Sequence, residues 1–298
     1  RTLMSDLTDN TFGEEGIAEE ESGQTEFMPV TDQRVLFECS NSDIASAVSW
    51  AAQSLNARST VAAYSAMRFQ INSGDYSTLN VFSMGKDTSN AMQIPVTGAS
   101  TSVDILLSGP AILNYIKIAP QGASTYVENI KNDNMNVLFR SGRFKTKLPM
   151  LPSSVAMVLP DMPPMEAKIV GKDFQRAVKR VTMAASPENN SIPIFSGVQF
   201  TVSPEKKTIT LVATDRYRLG IEIFPYEPLV DETEKDEILE EKTFVISAKL
   251  LDQYAKTFGK EESFTFGIGD ASSNNAGIFG VESTHKKATG RLLDGDYP

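Results

Sequence analysis

The chain has 298 residues, 41% hydrophobic and 22% charged, with a formal net charge of -10 at pH 7, which suits a water-soluble globular protein of about two domains. No run approaches the ~20 apolar residues of a membrane span, and the polar, acidic start does not read as a secretory signal. Cys39 and His285 are the only residues of their kinds, which removes disulfide frameworks, multi-histidine metal sites and most Ser-His-Asp schemes; a cytoplasmic location fits, and the acidic charge leaves room only for a local basic surface.

Residues 1–33 stand apart. Glu14, Glu15, Glu19, Glu20, Glu21 and Glu26, with Asp6, Asp9 and Asp32, face Arg1 as sole counter-charge. With few apolar residues and no period, this stretch reads as an acidic, largely disordered arm. From Val35 the pattern tightens. Residues 35–39 predict a strand, and Ser42 with Asp43 offers an N-cap and first-turn acid. Ile44, Ala47, Val48, Ala51 and Leu55 then form one apolar helical stripe, beside which Trp50 reads as packing. Strands follow at 66–71, 79–83 and 91–96, the first two joined by the turn Asn72-Ser73-Gly74-Asp75.

The layout then repeats. Asp43-Ile44-x-x-Ala47-Val48 recurs as Asp173-Phe174-x-x-Ala177-Val178, 130 positions on (43 to 173). Ser65–Phe69 answers Ser196–Phe200, shifted by 131 (65 to 196), and Leu79–Ser83 answers Ile209–Ala213, shifted by 130 (79 to 209). In both halves a later strand ends on a serine, Ser108 or Ser247, placed to cap the next helix. Common order and near-constant spacing point to duplication, and each half itself reads as strand, helix, three strands, twice over. The expectation is α+β, with domains at 34–159 and 160–298 joined by a connector carrying Pro149, Pro152, Pro160, Pro163 and Pro164. An acidic excursion over 228–241 reads as a solvated loop.

Three features invite a functional reading. The helix from Lys172 to about Ala185 buries Phe174, Ala177, Val178 and Val181 and sets Lys172, Arg176, Lys179 and Arg180 opposite, against Asp173 alone. That face is either an ordinary surface or one turned toward phosphates. At residues 211–221, two strands meet at a corner where Asp215, Arg216 and Arg218 place three charges within four residues. Taken locally, it is a hairpin with an Asx-type turn and solvated arginines. Gly267-Ile268-Gly269-Asp270 reads as another hairpin turn. No phosphate loop, dinucleotide fingerprint or paired-carboxylate site is present.

Ala213-Thr214-Asp215-Arg216-Tyr217-Arg218-Leu219, Ser141-Gly142-Arg143 ahead of Leu148-Pro149-Met150-Leu151-Pro152, and Arg291-Leu292-Leu293-Asp294-Gly295-Asp296-Tyr297-Pro298 together resemble the bacterial sliding clamp, the β subunit of DNA polymerase III. Arg216-Tyr217, where many members have glycine-histidine, resembles the actinobacterial variant. The resemblance covers Val35 to the C-terminus and implies a clamp fold of repeated β-α-β-β-β units, with helices lining a ring and antiparallel sheets outside. It implies a non-catalytic processivity factor without cofactor or metal, encircling duplex DNA without reading its sequence. The implied partners are the polymerase catalytic subunit, the clamp loader and repair proteins, captured through short linear motifs. By resemblance the peptide pocket falls on Phe195, Thr214, Arg216, Tyr217, Arg218, Leu219 and Pro298. DNA-facing positions fall on Arg58, Arg176, Lys179, Arg180, Asn189 and Asn190, and the subunit interface on the strand of Thr146 and Leu148.

Three departures accompany the match. The family continues past this C-terminal signature into a third domain, which completes the pocket and closes a homodimer ring. Thr146 replaces a common aromatic residue, and Pro193 and Ile194 stand where the family's DNA-side loop is aromatic. Two other readings stay open: a two-domain clamp closing as a trimer, and an α+β enzyme built on Asp215 and Arg218, which has no nucleophile or base partner.

Overall fold

The computed structural model describes residues 35–56, 58–155, 158–187, 192–229, 241–269, 276–295 and 297. The acidic arm, most of the 228–241 excursion, Asn189, Asn190 and Pro298 lie outside the described residues.

Four β-α-β-β-β units follow one another. The first comprises β1 (Val35–Ser40), α1 (Asn41–Ala51), β2 (Ala66–Ile71), β3 (Thr78–Met84) and β4 (Thr88–Pro95). The second comprises β5 (Val103–Ser108), α2 (Gly109–Ile118), β6 (Ser124–Ile130), β7 (Asp133–Ser141) and β8 (Phe144–Pro149). The third comprises β9 (Met165–Val170), α3 (Gly171–Val181), β10 (Gly197–Ser203), β11 (Thr208–Thr214) and β12 (Leu219–Pro225). After the two-residue β13 (Glu227–Pro228) comes the fourth: β14 (Lys242–Ser247), α4 (Ala248–Phe258), β15 (Ser263–Ile268), β16 (Ile278–Glu282) and β17 (Lys286–Arg291). The third unit repeats the first at 130 positions (β1 to β9, 35 to 165; α1 to α3, 41 to 171; β3 to β11, 78 to 208), and α4 follows α2 at 139 (109 to 248).

The units interlock because each lends its first strand to its neighbour's sheet. β5 closes β4-β3-β2, β1 closes β6-β7-β8, and β14 closes β12-β11-β10. β9 likewise closes β15-β16-β17. Antiparallel pairing of β17 with β4, from Lys286↔Met92 to Gly290↔Thr88, then fuses two of these sheets into one of nine strands. The helices pack in a row beneath. α2 lies on α1 and α4 on α3, while Trp50 bridges α1 to α4, its ring 5.5 Å from Phe258 and 6.1 Å from Tyr254. Trp50 is 3% exposed and belongs to the apolar cluster of the second half, not the first. Its indole N–H donates to the Ala91 carbonyl on β4 at 3.0 Å, and Asn90 Nδ2 donates to the Trp50 carbonyl at 3.0 Å.

Local chemistry accounts for the helix boundaries. Ser40, rather than Ser42, caps α1: its Oγ accepts from the Asp43 amide at 3.0 Å. Leu55 lies beyond the helix, which tightens to a 3₁₀ turn at Ala52–Ser54. Ser247 caps α4 from its side chain, whereas Ser108 makes no such bond to α2. Gly171 begins α3 where an added Cβ would sit 2.2 Å from the Glu261 carbonyl and 2.5 Å from that of Phe258, so only glycine lets α3 meet the end of α4. Gly267 and Ile268 belong to β15 rather than to a turn.

Candidate partner-docking corner and basic helix face

β11 alternates as its sequence demands, burying Ile209, Leu211 and Ala213, and pairs with β12 from Thr208↔Pro225 to Thr214↔Leu219. The connecting corner is a closed hydrogen-bonded unit. Asp215 Oδ1 accepts from the Tyr217 amide at 3.0 Å and the Arg218 amide at 2.7 Å, and Oδ2 accepts from Arg218 Nε at 3.0 Å and Nη2 at 2.7 Å. The Thr214 hydroxyl donates to the Arg218 carbonyl at 2.7 Å and accepts from the Arg216 amide at 3.0 Å. The Asx-type turn expected from sequence is therefore present. However, Arg218 is not simply solvated: it is latched to Asp215.

The Arg218 side chain, and then the Arg218 and Tyr217 amides, pull the Asp215 carboxyl down to about 2. Asp215 is accordingly a structural anion and a poor general acid. Arg216 adopts a φ of 78°, the left-handed region in which a non-glycine residue costs about 1–2 kcal/mol. This backbone carries its guanidinium over Phe195, with Cζ 5.6 Å from the ring centroid. Phe195 is 7% exposed, whereas Tyr217 and Leu219 are 90% and 65% exposed. The result is a buried aromatic floor, a cation above it and two open hydrophobic side chains beside it.

One holding residue was not foreseen from the sequence. The Tyr297 hydroxyl accepts from the Thr214 amide at 2.9 Å and donates to the Gly197 carbonyl at 3.2 Å, tying the C-terminal segment to β10 and β11. Nothing short of the folded register brings residues 197, 214 and 297 together.

β12 has two unlike faces. Leu219, Ile221 and Ile223 are exposed on one. On the other, Gly220 meets the end of α3 at Val181 and Ala184, and Glu222 accepts from Arg180 at 3.4 Å. The exposed side chains of Leu219, Ile221 and Ile223 and the helix α3 therefore lie on opposite faces of the same edge strand. On α3, Phe174, Ala177, Val178 and Val181 are buried as expected, and Lys172, Arg176, Lys179 and Arg180 are all exposed. Arg176 is paired with Asp173 at 3.0 Å. Arg58 is exposed just after the first helical segment.

Thr146 and Leu148 lie on β8, which forms the end of its sheet. Leu148 is 6% exposed and packed into the first core, so its side chain is committed inward, and Thr146 is half-buried. Cys39 is no nucleophile: burial above all, then the charges of Asp43 and Glu38, push its thiol up to about 12. Among the described residues no helix is long and apolar enough to cross a membrane.

The fold and these sites define a repeated α+β clamp architecture, and the comparisons agree. Residues 168–298 match the family described as DNA polymerase III beta subunit, central domain. The chain is 30% identical over 252 residues to the beta sliding clamp of Micrococcus luteus, covering 85% of this chain and 74% of that protein. It is 27% identical over 255 residues to the beta sliding clamp of Streptomyces coelicolor, covering 86% of this chain and 63% of that one. The fold matches the Helicobacter pylori beta clamp bound to a DNA ligase peptide with a TM-score of 0.73 at 16% identity, over 88% of this chain and 67% of that one. It matches the Pseudomonas aeruginosa sliding clamp bound to griselimycin with a TM-score of 0.75 at 14% identity, over 89% and 66%. The chain belongs to the beta sliding clamp family and spans about two thirds to three quarters of these relatives.

Proposed function

We propose that this chain supplies the first two domains, residues 34–159 and 160–298, of a DNA sliding clamp. The clamp acts in the cytoplasm as a non-catalytic processivity factor and closes as a homodimer ring in the full-length protein. The observation that carries this reading is the edge-to-edge β4–β17 joint with a row of helices beneath it. It supplies a rule for building a ring: a β4-type edge receives a β17-type edge. By the repeat, β12 corresponds to β4 and β8 to β17, and each ends its sheet, available for the next joint. The same rule permits a trimer of this chain alone, but the relatives that extend beyond it favour a third domain.

The exposed cations of α3 attract phosphates without base contacts, as sliding requires, and Arg58 joins them. Asn189 and Asn190 are further DNA-side candidates by the family resemblance alone. On the opposite face of β12, Phe195, Thr214, Arg216, Tyr217, Arg218 and Leu219 hold short linear motifs of the polymerase catalytic subunit, clamp loader and repair proteins; Pro298 is a further candidate by the family resemblance alone. The Helicobacter pylori relative bound to a ligase peptide supports that role. The β8 edge, with Thr146 and the backbone of Leu148, takes part in subunit contact.

Retention on DNA tests the proposal. Loaded full-length protein should stay on closed circular DNA and be lost when the circle is cut. Equal retention on the linear product overturns topological sliding.

A further inference from the structure

The β4–β17 joint carries an open-mouthed cavity of about 140 Å3 on the sheet face away from the helices. Asn80 of β3, Gln93 of β4, and His285 and Lys287 at β17 line it, with Leu159 and Met162 of the connector as an apolar wall. Small-molecule sites run to roughly 300–1,000 Å3, so this space suits one side chain rather than a cofactor. It exists only where the two halves meet: the Ser89 and Thr289 hydroxyls bond across the seam at 2.6 Å and close its floor.

The internal repeat shows what kind of site this is. At a displacement of 130 positions, Asn80, Ser89, Ala91 and Gln93 correspond to Thr210, Leu219, Ile221 and Ile223 (80 to 210, 93 to 223). The β12 face presents three exposed aliphatic side chains, while the β3–β4 face presents amides and a hydroxyl, joined by an ammonium from β17 and an imidazole from the turn before it. Lys287 gives one bond to Glu282 at 2.8 Å, and an ammonium has three donors. Donors therefore converge from three strands on a space with an apolar wall.

We propose that this joint cavity is a second binding site, one that takes an extended peptide through a side-chain carboxylate. Lys287, His285 and the two amides donate to the carboxylate oxygens, and the peptide backbone lies along Leu159 and Met162. The inference does not depend on the Thr214–Leu219 pocket, because the two sites share only the repeat and select opposite chemistry.

The chain carries its own reporter. Trp50 is its only tryptophan, and its indole N–H is bonded to the carbonyl of Ala91, which lines the cavity. The full chain is titrated with acetyl-Ala-Glu-Ala-amide while Trp50 emission and backbone amide shifts are followed. The expected result is a saturable response over residues 89–93 and 285–289, absent with acetyl-Ala-Gln-Ala-amide. Lys287→Ala and, separately, His285→Ala should each weaken it, the lysine by about tenfold, the loss of a charge-assisted hydrogen bond. Both side chains are exposed, so both variants should fold. Leu219→Ala should leave the response unchanged. No saturation, equal response to both peptides, full affinity in Lys287→Ala, or shifts confined to 214–219 would each overturn the assignment.

Discussion

The two halves of the molecule share a scaffold and differ in the side chains it presents on its exposed helix face and at its strand corners. On α1 the exposed positions Ser42, Ser46 and Ser49 are neutral; their counterparts on α3, at 172, 176 and 179, are Lys172, Arg176 and Lys179. One position further on, Trp50 corresponds to Arg180. The tryptophan closes an internal joint by burying itself against α4, whereas the arginine stays exposed and reaches Glu222 at the open edge. The β3–β4 connection is equally plain: the Gly85 amide donates to the Thr88 carbonyl at 2.8 Å, with none of the arginine latch of the β11–β12 corner. Backbone pairing and core pattern fix the repeat. The two copies differ at single positions on it, exposed ones such as Ser46 and Arg176 and the buried Trp50 against Arg180.

The largest effect that would break this comparison lies at the joint. Trp50→Ala removes a 3%-exposed anchor between the halves and should cost about 3–5 kcal/mol in denaturant unfolding. A loss below 1 kcal/mol would mean the halves are held by β4–β17 pairing alone. At the docking corner, Leu219→Ala should weaken capture of a polymerase-type peptide by the full-length protein about tenfold, as expected for an exposed anchor worth more than ~1 kcal/mol. Calorimetry reads that change, and the unfolding midpoint should barely move.

Smaller effects sharpen the account of the corner. Arg216→Gly relieves the φ of 78° and removes the cation over Phe195, so stability should rise by up to about 1 kcal/mol while peptide affinity falls. Asp215 provides a pH test. Its folded value is lowered, so its contribution is fully present above the ordinary carboxylate range and is lost as pH falls through about 2. The Tyr217 and Arg218 amide signals should therefore hold steady down to pH 4 and shift only below it. In Asp215→Asn they should be displaced at every pH and lose that titration.

Much of this was legible in the sequence. The 130-position echo and the apolar stripes of α1 and α3 gave the repeated unit, and the charge split on α3 gave its exposed face. The signature from Ala213 to Leu219 pointed to the corner. The details missed depend on competition or on distance. Ser40 and Ser42 both satisfy the composition of a cap, and only the end of β1 decides for Ser40. Gly267-Ile268-Gly269 has the look of a turn, but β15 continues through the first two residues because β16 pairs with both of them and β9 with the first. The β4–β17 register joins residues about 200 positions apart with no periodic signal. Trp50's place in the second core and the cavity at Lys287 depend on contacts of that range, and Tyr297's hold on Thr214 on one that spans 83 positions.

The comparison of α1 with α3 carries the central claim that phosphate attraction is concentrated on the exposed face of α3. The direct test is the salt dependence of DNA binding by full-length protein carrying Lys172→Ser, Arg176→Ser and Lys179→Ser, which gives α3 the neutral face of α1. Three lost phosphate contacts should flatten the slope of log K against log salt by about 2–3, with the unfolding midpoint preserved. An unchanged slope would contradict the account and place the DNA contacts elsewhere.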